Sequence, residues 1–165
     1  MNIINVIRLM NRLKKTKKIA DYAIFGAVGA SYYIPAVTTM DVDLLVLAQT
    51  DADYIKTWRE LNKYAEKVMD FGFVIDDTPV QLLPTSVSPI FADALKTATK
   101  VKTGGLTTKV VDREHLIVMF LKANRPKDRQ KASIMLNGAD MAYLEKLLGD
   151  FDDTGEIRKR LETLR

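Results

Sequence analysis

The spacing of apolar residues changes character once along this chain, near residue 112, and that change restricts the fold more than any other feature. Before it, short strand-like runs alternate with helical ones. Ile3, Val6, Ile7, Met10 and Leu13 recur at helical spacing, which predicts an amphipathic helix over 2–17. DYAIF (21–25) predicts a strand. The small-residue stretch GAVGASYYI (26–34) predicts a helix ended before Pro35. VDLLVLA (42–48) predicts a strand. Residues 52–70 predict one long helix with Ile55, Trp58, Leu61, Tyr64, Ala65 and Val68 on a shared face. FVI (73–75) and PVQLL (79–83) predict two short strands around an Asp-Asp-Thr turn, and SPIFADAL (88–95) predicts a short helix. TATKVKTGGLTTKVV (97–111) predicts a hairpin turning at Gly104-Gly105. From Arg113 onward only helical spacing remains, over 113–123, 126–137, 139–149 and 154–164. The expected class is α/β (α+β): a mixed β-sheet flanked by helices, with a C-terminal helical lobe. Residues 1–112 form the expected core and 113–165 the helical extension. A chain of 165 residues suits one compact unit that buries its core without disulfides.

Charge is unevenly placed. The net charge is +4, yet residues 1–18 alone carry six cations (Arg8, Arg12, Lys14, Lys15, Lys17, Lys18) and no acid. The rest of the chain is slightly acidic. With no cysteine there is no thiolate metal site and no cysteine nucleophile, and a reducing, cytoplasmic location is expected. One histidine, His115, excludes a multi-histidine metal centre. No apolar run approaches the ~20 residues of a membrane span. The basic residues of the N-terminus follow its apolar ones, which is not the order of a secretory signal.

The chemically informative stretch is AIFGAVGASYYIPAVTTMDVDLLVL (23–47). Asp41 and Asp43 open an apolar strand. Alternation puts both on one face, roughly 7 Å apart along it. Two like charges there repel unless a cation neutralises them. A hard divalent ion such as Mg2+ (or Mn2+) does so, with substrate phosphates completing its coordination. That arrangement serves phosphoryl or nucleotidyl transfer. A solvated acidic pair at a strand end is the plainer alternative. Upstream, Gly26 and Ala27 follow a strand and start a small-residue helix. They either present backbone N–H groups to a phosphate or simply allow close helix–sheet packing.

Taken together these residues resemble the polymerase-β-like nucleotidyltransferase superfamily. Its signature is a strand ending in Gly-Gly or Gly-Ser, a short spacer, and Asp-x-Asp on the next strand. Gly26-Ala27, thirteen residues, then Asp41-Val42-Asp43 fit that frame, with Thr39 just before the pair. Ala27 replaces the second glycine or serine. PVQLLP (79–84) looks like the strand that carries a third carboxylate in many members, and here it offers Gln81; Asp76 and Asp77 precede it in the turn. HLIVMFLKANRPKDRQKA (115–132) is similar to a helix–loop–helix segment of the AbiEii-type, minimal subfamily. The resemblance implies metal binding by Asp41 and Asp43. It implies nucleotide binding by Gly26, Ala27, Thr39, Lys122, Arg125 and Asp128, and a third contact from Gln81 or Asp77.

Residues 113–131 hold six basic and two acidic side chains. Pro126 suits a helix's first turn. Asp128 in that turn either caps the helix or orients Arg125 toward a triphosphate. His115 reads as a capping or packing residue. The expected activity is Mg2+-dependent transfer of a nucleoside monophosphate from an NTP, ATP included, to an acceptor hydroxyl. By resemblance the acceptor is an RNA end or a protein side chain, and the role that of a toxin–antitoxin or phage-defence component with a cognate antitoxin. Two alternatives stand beside it. One is a nucleotide-binding protein with weak or lost chemistry, because Gln81 is no carboxylate. The other is a nucleic-acid-binding module using the basic segment 8–18.

Overall fold

Leu44, Leu45 and Val46 are apolar in succession, which suits a strand covered on both faces. In the computed structural model, which describes residues 2–35 and 37–165, they lie in β2 (Val42–Val46) near the middle of a seven-stranded mixed sheet. The other strands are β1 (Tyr22–Phe25), β3 (Lys67–Met69), β4 (Gly72–Ile75), β5 (Thr78–Pro84), β6 (Thr99–Thr103) and β7 (Leu106–Val110). Their order is β3-β4-β5-β2-β1-β7-β6. β2 runs antiparallel to β1 and parallel to β5.

Alternation along β2 sends Val42, Leu44 and Val46 into one apolar layer and Leu45 into another. The first layer holds the buried stripe of α1 (Ile3–Lys15), namely Val6, Ile7, Leu9, Met10 and Leu13, together with Leu61 of α3 (Asp51–Asn62). The second takes Ala23 and Leu45 of the sheet and continues through α4 (Pro89–Thr97), α5 (Arg113–Ala123), α6 (Pro126–Leu136), α7 (Met141–Phe151) and α8 (Glu156–Glu162). Every residue of α5 from Glu114 to Leu121 is buried. A helix apolar all round has to be enclosed, and α5 lies against α6, α7 and α8 while contributing to the sheet's core.

The hairpin at Gly104-Gly105 forms, with both residues at positive φ (56° and 79°), the conformation a two-residue hairpin loop requires. Two expected helices are shorter than expected. The small-residue helix covers only α2 (Gly26–Ala30), and turns carry the chain on through Tyr33. The long helix over 52–70 stops at Asn62, and 67–69 form the edge strand β3. The sheet edge explains this. Lys67, Val68 and Met69 pair antiparallel with β4, and Glu66 N–H donates to the Val74 carbonyl. The helical spacing continues past Asn62 by coincidence: Val68 is 53% and Ile55 48% exposed, while Tyr54, Thr57, Trp58 and Leu61 turn inward.

His115 joins two elements of the second layer. Asp112 caps α5 by accepting from the His115 N–H. The ring, fully buried, has Nδ1 2.8 Å from both Asp112 oxygens and Nε2 3.0 Å from Asp93 Oδ2 of α4. Burial disfavours the charged ring, but bonding to Asp112 and Asp93 outweighs it and holds the pKa above the ordinary value. With a carboxylate at each nitrogen, the imidazolium donates from both. Stability from this raised pKa is fully present below pH ~6.5 and is lost as pH rises through the folded-state value. His115→Gln is therefore expected to cost about 2–4 kcal/mol at pH 6, and the gap to wild type narrows by pH 9 in urea unfolding.

Candidate active site

Phe25, the last residue of β1, is paired with Asp43 of β2, so the chain leaves the sheet beside that carboxylate. It turns at Gly26, with φ +62°, directly into α2. A Cβ on Gly26 would lie 1.9 Å from Asp43 Oδ2. The left-handed backbone and the close carboxylate both demand glycine there. The Ala27 backbone N–H that follows acts on the Asp43 carboxylate in favour of its charged form. Asp43 lies on the face of β2 that carries Leu45, the face covered by the C-terminal helices, and Asp41, one residue before the strand, reaches the same side through Gln81, the ladder partner of Asp43.

Burial and the neighbouring charge of Asp41 push the Asp43 pKa up to about 6. The charges of Arg125 and Lys131 and the Ala27 N–H pull the other way without cancelling the rise. The site therefore carries negative charge that the protein alone leaves undercompensated, and a divalent cation fits it. Among the described residues no group of three or more acidic, His or Cys side chains is placed to hold a metal. Two carboxylates plus substrate phosphates and water is the usual provision for Mg2+.

The cations come from the α5–α6 joint. Asn124 ends α5 in the left-handed conformation, Arg125 caps α6, and Pro126 takes its first position. Arg125 Nε lies 2.5 Å from Asp128 Oδ2, and that bond, with the fields of Asp128, Asp43 and Asp41, holds its pKa above the ordinary value. Asp128 is 1% exposed and takes a second cation, Lys131, at 3.3 Å. Lys131 also lies over the Phe120 ring at 5.2 Å. Sequence reasoning counted Lys131 in the basic cluster but gave it no role. Its i,i+3 spacing from Asp128 on α6 is the signal that places both on one face. Lys122 points elsewhere, donating to Ser88 Oγ at the start of α4 at 3.1 Å.

Of the two residues suggested for the third position, Gln81 is the one whose side chain touches Asp41, through Nε2 at 2.7 Å from Oδ2. Thr39 Oγ1 donates to the other oxygen at 2.6 Å. Asp76 and Asp77 form the β4–β5 turn, both at positive φ. There the Asp76 carboxylate accepts from Asn5 of α1, and Asp77 N–H donates to Glu66. The basic N-terminal segment is partly engaged too. Arg8 bonds Asn5, Arg12 lies over the Tyr64 ring at 5.1 Å, and Lys14 pairs with Asp21 at 2.7 Å. Asp21 adjoins Leu47, six residues beyond Asp41 on the β2 side, roughly 20 Å along the strand direction.

No family model and no curated protein matches the chain. Solved structures do match it. A crystal structure of an antigenic nucleotidyltransferase-like protein from Paracoccidioides brasiliensis superposes with a TM-score of 0.57 at 15% identity, over 98% of this chain and 85% of that one. ANT(2'')-Ia, crystallised with adenylyl-2''-tobramycin, gives 0.57 at 12% identity, over 98% and 99%. The solution structure of ANT(2'')-Ia gives 0.54 at 14% identity, over 99% and 96%. The chain has a nucleotidyltransferase fold.

Two outcomes follow from this geometry. Gly26→Ala displaces the Asp43 carboxylate and strains the turn, so Mn2+ affinity should drop at least ~10-fold while far-UV circular dichroism is retained. Without divalent cation, Asp43→Asn should stabilise the fold at pH 7.5 by about 1 kcal/mol, after discounting for solvent at the half-buried carboxylate. A folded-state pKa above the unfolded one makes stability fall as pH rises from about 4 to about 6. The gain from Asp43→Asn should therefore vanish near pH 4 in thermal melts.

Proposed function

We propose that this protein is a divalent-cation-dependent nucleotidyltransferase that moves a nucleoside monophosphate from an NTP to an acceptor hydroxyl. The observation that carries this reading is the shared face of Asp41 and Asp43, closed on one side by Gly26 and exposed to the fields of Arg125 and Lys131.

When bound, Mg2+ or Mn2+ supplies charge neutralisation between the carboxylates and the phosphates, bringing nucleophile and leaving group into line. Asp41 and Asp43 hold that cation. Arg125, steadied by Asp128, and Lys131 are the cations whose fields reach the pair, and they would meet triphosphate oxygens and stabilise the charge that develops on the leaving group. The resemblance assigns Lys122, which here donates to Ser88, to the triphosphate as well. The acceptor oxygen forms a bond to the α-phosphorus, the bond from that phosphorus to the bridging oxygen breaks, and pyrophosphate leaves. The hydroxyl proton passes to a site carboxylate or to water, since the Gln81 amide is no base.

The AbiEii-type resemblance of Lys122 to Asp128 extends the proposal to an RNA end or a protein side chain as acceptor, and to a cognate antitoxin as partner. The Gln81 amide favours one competing reading, nucleotide binding without transfer. Among the described residues no helix is long and apolar enough to cross a membrane.

Incubation with each labelled NTP and Mn2+ or Mg2+, in the presence of total RNA or protein, tests the proposal. Wild type should label an acceptor and release pyrophosphate, and Asp41→Asn should lower that rate by a factor on the order of 10³. Calorimetric binding of NTP with no transfer to RNA, protein or the chain itself would instead establish the binding-only reading.

A further inference from the structure

We propose that Gln81 is a positioning residue: with Thr39 it fixes the Asp41 carboxylate through neutral hydrogen bonds, where a third acid would add charge. The inference rests on the metal-binding reading of Asp41 and Asp43 and assigns Gln81 a task within it.

Both Asp41 oxygens are engaged. Thr39 Oγ1 donates to Oδ1 at 2.6 Å and Gln81 Nε2 donates to Oδ2 at 2.7 Å. A carboxylate only accepts, so the amide must present its NH2, and its carbonyl oxygen faces away from Asp41. The fold aims the side chain. Gln81 lies opposite Asp43 in the parallel β2–β5 ladder, while Val80 and Leu82 on either side are buried in the opposite layer. Its partner across β4 is Gly72, which has no side chain to divert it. Gly72 cannot acquire one, because a Cβ there would meet the Val80 carbonyl oxygen at 1.8 Å.

The choice of an amide has an electrostatic reason. Hydrogen bonds to both oxygens fix the rotation of the Asp41 carboxylate, and neutral donors do so without placing another charge beside it. A carboxylate at 81 would take away the donor and crowd a third negative charge onto a face that already holds two. Partners that orient a ligand without touching the metal are commonly worth 10–100-fold in metal affinity. The pair thus reaches the cation pre-aligned yet only doubly charged, and firm retention depends on the phosphates that accompany the nucleotide.

The test is an electron paramagnetic resonance titration of Mn2+ with a non-hydrolysable NTP analogue present. It compares wild type with Gln81→Met, Thr39→Val and Gln81→Glu. Gln81→Met and Thr39→Val should each weaken Mn2+ binding about 10-fold or more. Gln81→Glu, which adds charge but removes the donor, should bind Mn2+ no more tightly than wild type. Cation-free melting of Gln81→Met should match wild type, because the residue is exposed. Tighter Mn2+ binding by Gln81→Glu would make position 81 a direct ligand and overturn the inference, as would unchanged affinity in Gln81→Met. Weakened affinity accompanied by a lowered melting point in Gln81→Met would assign a structural role and also overturn it. No Mn2+ binding by wild type would overturn the functional reading, and the inference with it.

Discussion

Burial of the Asp43 carboxylate beside that of Asp41 is the constraint on which the candidate site depends. Asp43 lies on β2 and Asp41 one residue before it, and the Asp43 carboxylate is pressed against the glycine turn. Left alone, that placement is unfavourable. The surrounding structure answers it in three ways: the Ala27 N–H on Asp43, hydroxyl and amide donors on Asp41, and cations delivered from α6. None of these completes the compensation. The residual deficit is what a divalent ion and a polyphosphate would fill, so the functional reading grows out of an electrostatic imbalance that the rest of the fold tolerates.

Much of the architecture was legible from residue spacing because burial and periodicity are tied directly. The strand of Leu44 to Val46, the Gly104-Gly105 hairpin and the helical run after Arg113 each show one unambiguous period. The stretch after Asn62 did not, because Val68 continues a 3.6-residue pattern that β4 overrules by offering unpaired backbone groups. Edge pairing is a tertiary fact with no local signature. The truncated helix after Gly26 failed for a related reason: small residues permit helix without requiring it.

The acidic pair and its glycine were legible for a different reason. They depend on short-range spacing, thirteen residues from Ala27 to Asp41, and on strand alternation. The direction of side chains across elements was not legible. Lys122 and Arg125 are three residues apart, yet one reaches Ser88 and the other Asp128. Only the Asn124 left-handed turn and the new helix at Pro126 separate them. Likewise Gln81 looked like a missing acid until the ladder showed which atom it offers and to whom.

Asp128 has a consequence of another kind. It is a carboxylate with almost no contact with water, and it holds Arg125 and Lys131 in one grip. Both cations come from beyond residue 112, whereas both carboxylates they face come from before it. The point near residue 112 after which only helices follow therefore falls between the acidic and the basic contributors to the candidate site. Apolar packing of the helices against the sheet is what brings the two sets of charges into each other's fields.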